Sequence, residues 1–350
     1  MFSGCNQLTS VIIGSGITEL SDNFEKCYNL DLIKVAEGNP VYDSREDCNA
    51  VILTSENKLI LGASKTTIPS TVTSIGSRAF AHSNITSVVI PASVKTIESS
   101  AFIHSGLASV KISEGVTTIN SSAFYGCKNL TELTIPSSVR TIERNLVIGC
   151  TSLESLTVEE GNRVYDSRDN CNAIIESYSY NIIASCKNTV IPSSVKRIGV
   201  AAFTGREDLT TLVIPDNIST IDSEAFQDCR NLERLVIPKS VTFIGGGAFG
   251  NCPLSEVWCL NENPDIVELS FSPFYNNKCE ILYVPKGTQD LYRANYAWNV
   301  FKTILDSDFS NLPTDIGGNA KTMDRSQDHT VIKQYNASGQ LLFSSAKGLK

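Results

Sequence analysis

Hydrophobic positions in this chain recur as a fixed phrase. From Leu130 the apolar residues are Leu130, Leu133 and Ile135, then Pro136, then Val139 and Ile142. Alternation over 133–135 is the period of a short strand and sends Thr134 to the opposite face. Pro136 has no donor for a ladder, so it marks the strand's end. Val139 and Ile142 return inward, and in most copies an Ala-Phe pair follows. The phrase is clearest at Ala123-Phe124-Tyr125-Gly126-Cys127-Lys128-Asn129-Leu130 and at Ala225-Phe226-Gln227-Asp228-Cys229-Arg230-Asn231-Leu232. Phe80, Phe102 and Phe124 stand 22 residues apart, and Phe203, Phe226 and Phe249 stand 23 apart. A period of this size means stacked coils, each burying its apolar side against the next. The pattern predicts a β-rich α/β solenoid of about eleven coils, rising roughly 50 Å at the strand spacing. The six phenylalanines should form a buried spine, with Leu146-Val147 as a degenerate copy.

Two intervals are longer, from Phe24 to Phe80 and from Val147 to Phe203, and each holds the same inserted text. Glu37-Gly38-Asn39-Pro40-Val41-Tyr42-Asp43-Ser44-Arg45 matches Glu160-Gly161-Asn162-Arg163-Val164-Tyr165-Asp166-Ser167-Arg168, and Cys-Asn-Ala follows from Cys48 and from Cys171. Apolar runs at 51–53 and 59–61, and at 174–175 and 182–183, flank polar turns and predict a hairpin in each insert. After Val257 the repeats fade. Residues 281–285 read as a last strand, 287–296 as a short helix, and Trp298, Phe301 and Ile304 as the apolar residues of a cap. A terminal coil needs such a cap to hide its apolar face. The domain reading is therefore a solenoid over 1–305 with its cap at about 259–305, a polar linker over 306–328, and a partial β-hairpin module or sorting-type tail over 329–350. Met1-Phe2-Ser3-Gly4-Cys5 matches the Ala-Phe phrase, so the expectation is a chain that starts inside a repeat and lacks an upstream part.

Composition narrows the chemistry. Over 350 residues the formal net charge is −8, the reverse of the basic excess a nucleic-acid binder shows. No apolar run reaches the ~18 residues of a membrane span, and no charged-then-apolar leader is visible. The odd total of 11 cysteines forbids complete pairing within one chain. Cys5, Cys27, Cys127, Cys150, Cys229 and Cys252 each fall three residues after the repeat Phe or its substitute, which reads as a column of small buried thiols. No Cys-x-x-Cys or histidine cluster accompanies them as a zinc site requires. His82 and His104 hold equivalent places on adjacent coils and read as paired surface histidines. The acidic stretches at 43–47 and 166–169 lack the alternate oxygen ligands and glycine of a calcium loop and read as polar turns. No serine-hydrolase, phosphate-loop or zinc-protease motif occurs, so no catalytic residue, metal or cofactor is expected.

The informative surface is the outer face of the strands. Reading the outward position of each coil gives Ile12, Lys34, Thr67, Val89, Lys111, Thr134, Thr157, Val190, Val213, Val236 and Trp258. The last four form an apolar stripe, the kind of exposed surface that marks an interface, and tryptophan is enriched in binding hot spots. The bland alternative is that β-branched residues suit strands and that the cap covers Trp258. The neighbouring outward row, with Lys65, Glu132, Arg234 and Glu256, is mixed in sign and disfavours a purely electrostatic ligand.

Leu-x-x-Leu-x-Ile-Pro-x-Ser-Val-x-x-Ile followed by Ala-Phe-x-x-Cys-x-x-Leu, the two Tyr-Asp-Ser-Arg inserts and the Tyr-Val-Pro-Lys-Gly and Trp-x-x-Phe-Lys endings resemble the BspA-like leucine-rich repeat proteins of gut and oral anaerobic bacteria. The resemblance covers most of residues 1–305. It implies a right-handed leucine-rich repeat superhelix and secretion or surface display. Some members are adhesins for host extracellular proteins, and no catalytic residues are associated with the repeats. The expected function is thus a non-enzymatic, surface-displayed or secreted adhesin-like protein. Its partner would be a protein, such as a host matrix or surface protein, bound through the sheet face at Val190, Val213, Val236 and Trp258. A structural spacer presenting another module and a carbohydrate-binding module are the other two readings.

Overall fold

The computed structural model describes residues 2–20, 24, 26–277, 279–298, 300–310 and 312, together with the backbone of Ile332–Tyr335 and Leu341–Ser345. The chain divides into two compact units, Met1–Ser167 and Arg168–Lys350. Both are β-solenoids, and the described residues make about 13 turns against the eleven coils expected. The α component is small: among the described residues the one α-helix is Gln289–Ala294.

In the first unit each regular coil gives a long strand to one sheet face and a two-residue strand to the other. Ser10–Ile13 pairs in parallel with Leu32–Val35, Ser87–Ile90 with Ser109–Ile112, and Glu132–Ile135 with Ser155–Val158. Their alternation is the one the sequence predicts: Leu133 and Ile135 are buried, while Glu132 and Thr134 face solvent. The short strands Ser74–Ile75, Thr96–Ile97, Thr118–Ile119 and Thr141–Ile142 run parallel in consecutive register. The insert extends this second sheet. Its hairpin pairs Ala50–Leu53 antiparallel to Lys58–Gly62, adds Tyr42–Asp43 outside, and joins Ser74–Ile75 in parallel.

The second unit repeats the scheme. Ala173–Glu176 and Asn181–Ser185 form the hairpin, which leads through Arg197–Ile198, Thr220–Ile221 and Phe243–Ile244 to Glu268–Leu269. The long strands Thr211–Val213, Arg234–Ile237, Glu256–Cys259, Ile281–Pro285 and Thr303–Ser307 form one parallel sheet. Thr303–Ser307 is a coil beyond the expected last strand, and it takes Asp306 and Ser307 out of the expected linker. Asp306 is held there because its carboxylate accepts the N–H groups of Gly287 and Gln289, both at 3.0 Å. The cap closes the core with Tyr292 and Trp298, both fully buried, and with Phe301 and Phe274. Tyr292 donates its hydroxyl to the Asn261 carbonyl at 2.8 Å, a partner a buried phenol needs. In the tail read over 329–350, Ile332–Tyr335 pairs antiparallel with Leu341–Ser345, while the turn between them and most of the expected linker lie outside the described residues.

The aromatic spine is present in each unit. Ring centroids are 4.8 Å apart for Phe80–Phe102 and 5.4 Å for Phe102–Phe124; they are 5.0 Å apart for Phe203–Phe226 and 5.4 Å for Phe226–Phe249, with Phe274 continuing at 5.6 Å. Backbone bonds knit the turns that carry the rings: Phe80 and Phe102 donate to the carbonyls of Ala101 and Ala123, both at 2.8 Å. These turns demand left-handed residues two before and two after the ring. Around Phe102 they are Ser100 (φ 60°) and His104 (φ 54°); around Phe203 they are Ala201 (φ 57°) and Gly205 (φ 71°).

The cysteine column has a role beyond packing. Cys127, Cys150, Cys229 and Cys252 each donate the thiol to the carbonyl of the phenylalanine one coil earlier, at 3.1–3.3 Å. The Phe124 carbonyl accepts both the Cys127 N–H at 3.2 Å and the Cys150 thiol at 3.1 Å, so both its lone pairs are used. A slim, weakly donating side chain fits where the next coil lies close. All eleven cysteines are free thiols.

Candidate functional site

The chemistry-bearing side chains singled out in the sequence are mostly occupied by the fold. In the first insert Asn39 accepts the N–H groups of Val41 and Tyr42 and donates to the carbonyls of Gly14 and Ile17. Ser44 accepts the Val35 N–H at 2.9 Å and donates to the Ala50 carbonyl at 2.6 Å. The Asp43 carboxylate is bound by the Arg45 guanidinium, the Arg45 N–H and the Thr54 hydroxyl. Burial pushes its pKa up, but these bonds outweigh it and hold the carboxyl below its ordinary range. The acidic stretch at 43–47 is therefore an ion-paired turn. Asn49, from the Cys-Asn-Ala segment, accepts the Ile33 N–H and donates to the Asp31 carbonyl, both at 2.7 Å, and so ties the hairpin to the preceding coil.

The two coil histidines stack with centroids 5.2 Å apart, and Tyr28 and Tyr125 stand edge-on at the two ends. His104 lies flat on Gly126, where an added Cβ would come within 2.2 Å of its ring. Among the described residues no group of three His, Cys, Asp or Glu side chains is placed to hold a metal ion. Burial pushes the thiols of Cys48 and Cys259 up to about 11 and that of Cys279 up to about 12, so they stay protonated and unreactive near neutral pH.

The strand faces carry what remains. In the first unit the outward row is open, but mixed: Ile12 and Val89 are exposed beside Lys34, Lys111 and Thr134. In the second unit the register gathers a column of Val213, Val236, Trp258, Tyr283 and Leu305. Here the expected stripe needs correction. Val190 and Val213 are half-buried, but Val236 is only 1% exposed and Trp258 only 6%. Trp258 stacks face to face on Tyr283 at 4.9 Å, so the next coil covers the ring on one side. Val236 stands in register between Val213 and the large Trp258 ring on the two neighbouring strands. The accessible members are Val213, the half-buried Tyr283 and the exposed Leu305. Tyr283 was missed because it stands 25 residues after Trp258, beyond the repeat period, and Leu305 because no repeat phrase surrounds it. Alternation within the strand read at 281–285 already carried the signal for Tyr283. Beside this column Arg234 pairs with Glu256 at 3.3 Å, and Ile281 and Thr303 complete the row.

Comparison with known proteins agrees with this architecture. The pneumococcal vaccine antigen PcpA superposes with a TM-score of 0.51 at 20% identity, over 85% of this chain and 79% of that one, which supports the solenoid fold. A leucine-rich cell-surface protein of Faecalibacterium prausnitzii A2-165 gives 0.48 at 19% identity, over 90% and 83%. A leucine-rich repeat protein of Bacteroides ovatus gives 0.45 at 19% identity, over 92% and 76%. No curated protein matches the sequence. Among the described residues no helix is long and apolar enough to cross a membrane. The model of the BspA-type leucine-rich repeat region matches in six copies over residues 1–45, 61–173 and 173–302, and the chain belongs to that family.

Proposed function

We propose that this chain is a non-enzymatic, surface-displayed or secreted binding protein that recognises a protein partner through the outer face of the five-stranded sheet in its second unit. The observation that carries the reading is the registered column Val213, Val236, Trp258, Tyr283 and Leu305. Its centre is prepacked by the Trp258–Tyr283 stack, so a partner meets side chains that have already lost their rotamer freedom. Val213, Tyr283 and Leu305 are the contact residues of this face, with Val236 and Trp258 filling the column between them, while Val190 lies outside the five strands. Membership of the BspA-type family supports surface display. The buried Trp258 ring face weakens the carbohydrate reading, because a sugar platform needs open aromatic faces.

The test is binding of the intact chain to a panel of extracellular matrix proteins by biolayer interferometry, with Tyr283→Asp/Leu305→Asp as the comparison and circular dichroism as the fold check. Loss of about tenfold or more in affinity in the folded double variant is expected. Equal binding by the variant removes this face from consideration. Failure of the parent chain to bind any partner favours the spacer reading.

A further inference from the structure

The open aromatic face that the sheet lacks is present on the turns that carry the phenylalanine spine of the second unit. Residues 245–250 read Gly-Gly-Gly-Ala-Phe-Gly, where the coil before has Asp222-Ser223-Glu224-Ala225-Phe226-Gln227. Backbone conformation does not account for all of these glycines: Gly247 is left-handed at φ 64°, but Glu224 holds the same place at φ 61°. Gly247 and Gly250 share a neighbour, Tyr275 of the following coil. A Cβ on Gly250 would come within 2.2 Å of the Tyr275 ring, and one on Gly247 within 3.0 Å. Bare backbone thus beds the ring, and Tyr275 is still 39% exposed. Phe271, four residues earlier in the same turn, is 90% exposed.

Polar side chains border the tyrosine. Asp228, Asn251 and Asn276 occupy the same place on three consecutive coils, two residues after each phenylalanine. The Asn251 carboxamide donates to the Asp228 carboxylate at 3.1 Å and to the Tyr275 hydroxyl at 3.4 Å, and accepts from Asn276 at 2.7 Å. Gln227 donates to the other Asp228 oxygen at 3.1 Å. These bonds orient the side chains, and each carboxylate oxygen keeps a second lone pair for a ligand hydroxyl. Partial burial, then the charges of Asp228 and Glu224, push the Tyr275 pKa up, as two carboxylates near its hydroxyl must.

A flat ring beside oriented amides and carboxylates matches a pyranose, which has a face of C–H bonds and a rim of hydroxyls. Sugars whose hydroxyls are all equatorial present the widest such face. We infer that this turn binds a neutral, β-linked oligosaccharide of gluco configuration, with one pyranose stacked on Tyr275, its hydroxyls bonded to Asp228, Asn251 and Asn276, and the next unit over Phe271. The site lies on the phenylalanine turns rather than on the long-strand face, and it stands or falls independently of the protein-binding proposal.

Isothermal titration of the full chain with cellohexaose, with hexagalacturonate as the acidic comparator, tests this. Saturable binding of cellohexaose is expected, with weaker binding of hexagalacturonate, whose carboxylates meet those of Asp228 and Glu224. Tyr275→Ala should weaken cellohexaose binding by about tenfold or more, and Tyr275→Phe, which keeps the platform, should lose less. Phe271→Ser alters a side chain that the fold leaves in water, so the variant should fold as the parent does, and it should weaken binding about threefold or more. Absence of saturable cellohexaose binding overturns the inference, as does unchanged affinity in folded Tyr275→Ala or in Phe271→Ser, or hexagalacturonate binding as tight as cellohexaose.

Discussion

The repeat Phe, its left-handed flanks and the donating thiol make one residue-level unit, and each part has its own energetic signature. Phe124 is fully buried between the ring of Phe102 and the degenerate Leu146-Val147 turn, so Phe124→Ala should cost about 3–5 kcal/mol in urea denaturation through lost transfer energy and the cavity left behind. Ala201 occupies a left-handed position at φ 57° that other copies fill with Arg, Ser, Asn, Glu or Gly. Its Cβ is unfavourable there, so Ala201→Gly should raise stability by about 0.5–1 kcal/mol even though glycine gains entropy in the unfolded chain. A melt showing the opposite sign would mean that the coil does not hold that backbone geometry. The thiol bonds were not legible in the sequence: spacing shows that the cysteines stack, but only coordinates show a carbonyl within reach of each sulfur.

At the scale of elements, the two inserts are the informative departures from the repeat. Their shared Asn, Ser, Tyr-Asp and Cys-Asn residues serve a common task, replacing the ladder bonds that a hairpin withholds from the neighbouring coil. Asn49 shows this most directly, and its left-handed φ of 55° is one that asparagine tolerates better than most residues. Asn49→Ala should cost about 2–3 kcal/mol, since it leaves the Ile33 N–H without its acceptor and adds backbone strain; chemical denaturation of the variant against the parent chain measures it. The hairpins themselves were readable because apolar runs flanked polar turns. The coil at Thr303–Ser307 was not, because a helix separates it from its partner strand Ile281–Pro285 and no repeat phrase announces it.

For the whole molecule, three thiols outside the repeat column set an alkaline limit on stability. In the unfolded chain thiols ionise near pH 8.5, while Cys48 and Cys259 are raised to about 11 and Cys279 to about 12 in the fold. Between these values the unfolded state binds fewer protons than the folded one, so stability should be insensitive to these thiols below about pH 8 and decline steadily from about pH 9 to 11. Urea midpoints measured across that range in a reducing buffer check this, and a flat profile would show the thiols to be solvated. The sequence by itself determined the period, the inward spine, the paired inserts and the need for a cap, because each depends on side-chain polarity repeated at a fixed interval. Tertiary structure alone decided which outward residues remain accessible. Exposure at Trp258 depends on Tyr283 lying across its face, and the seat of Tyr275 depends on the bare backbone at Gly247 and Gly250; both are contacts between coils that local periodicity cannot encode.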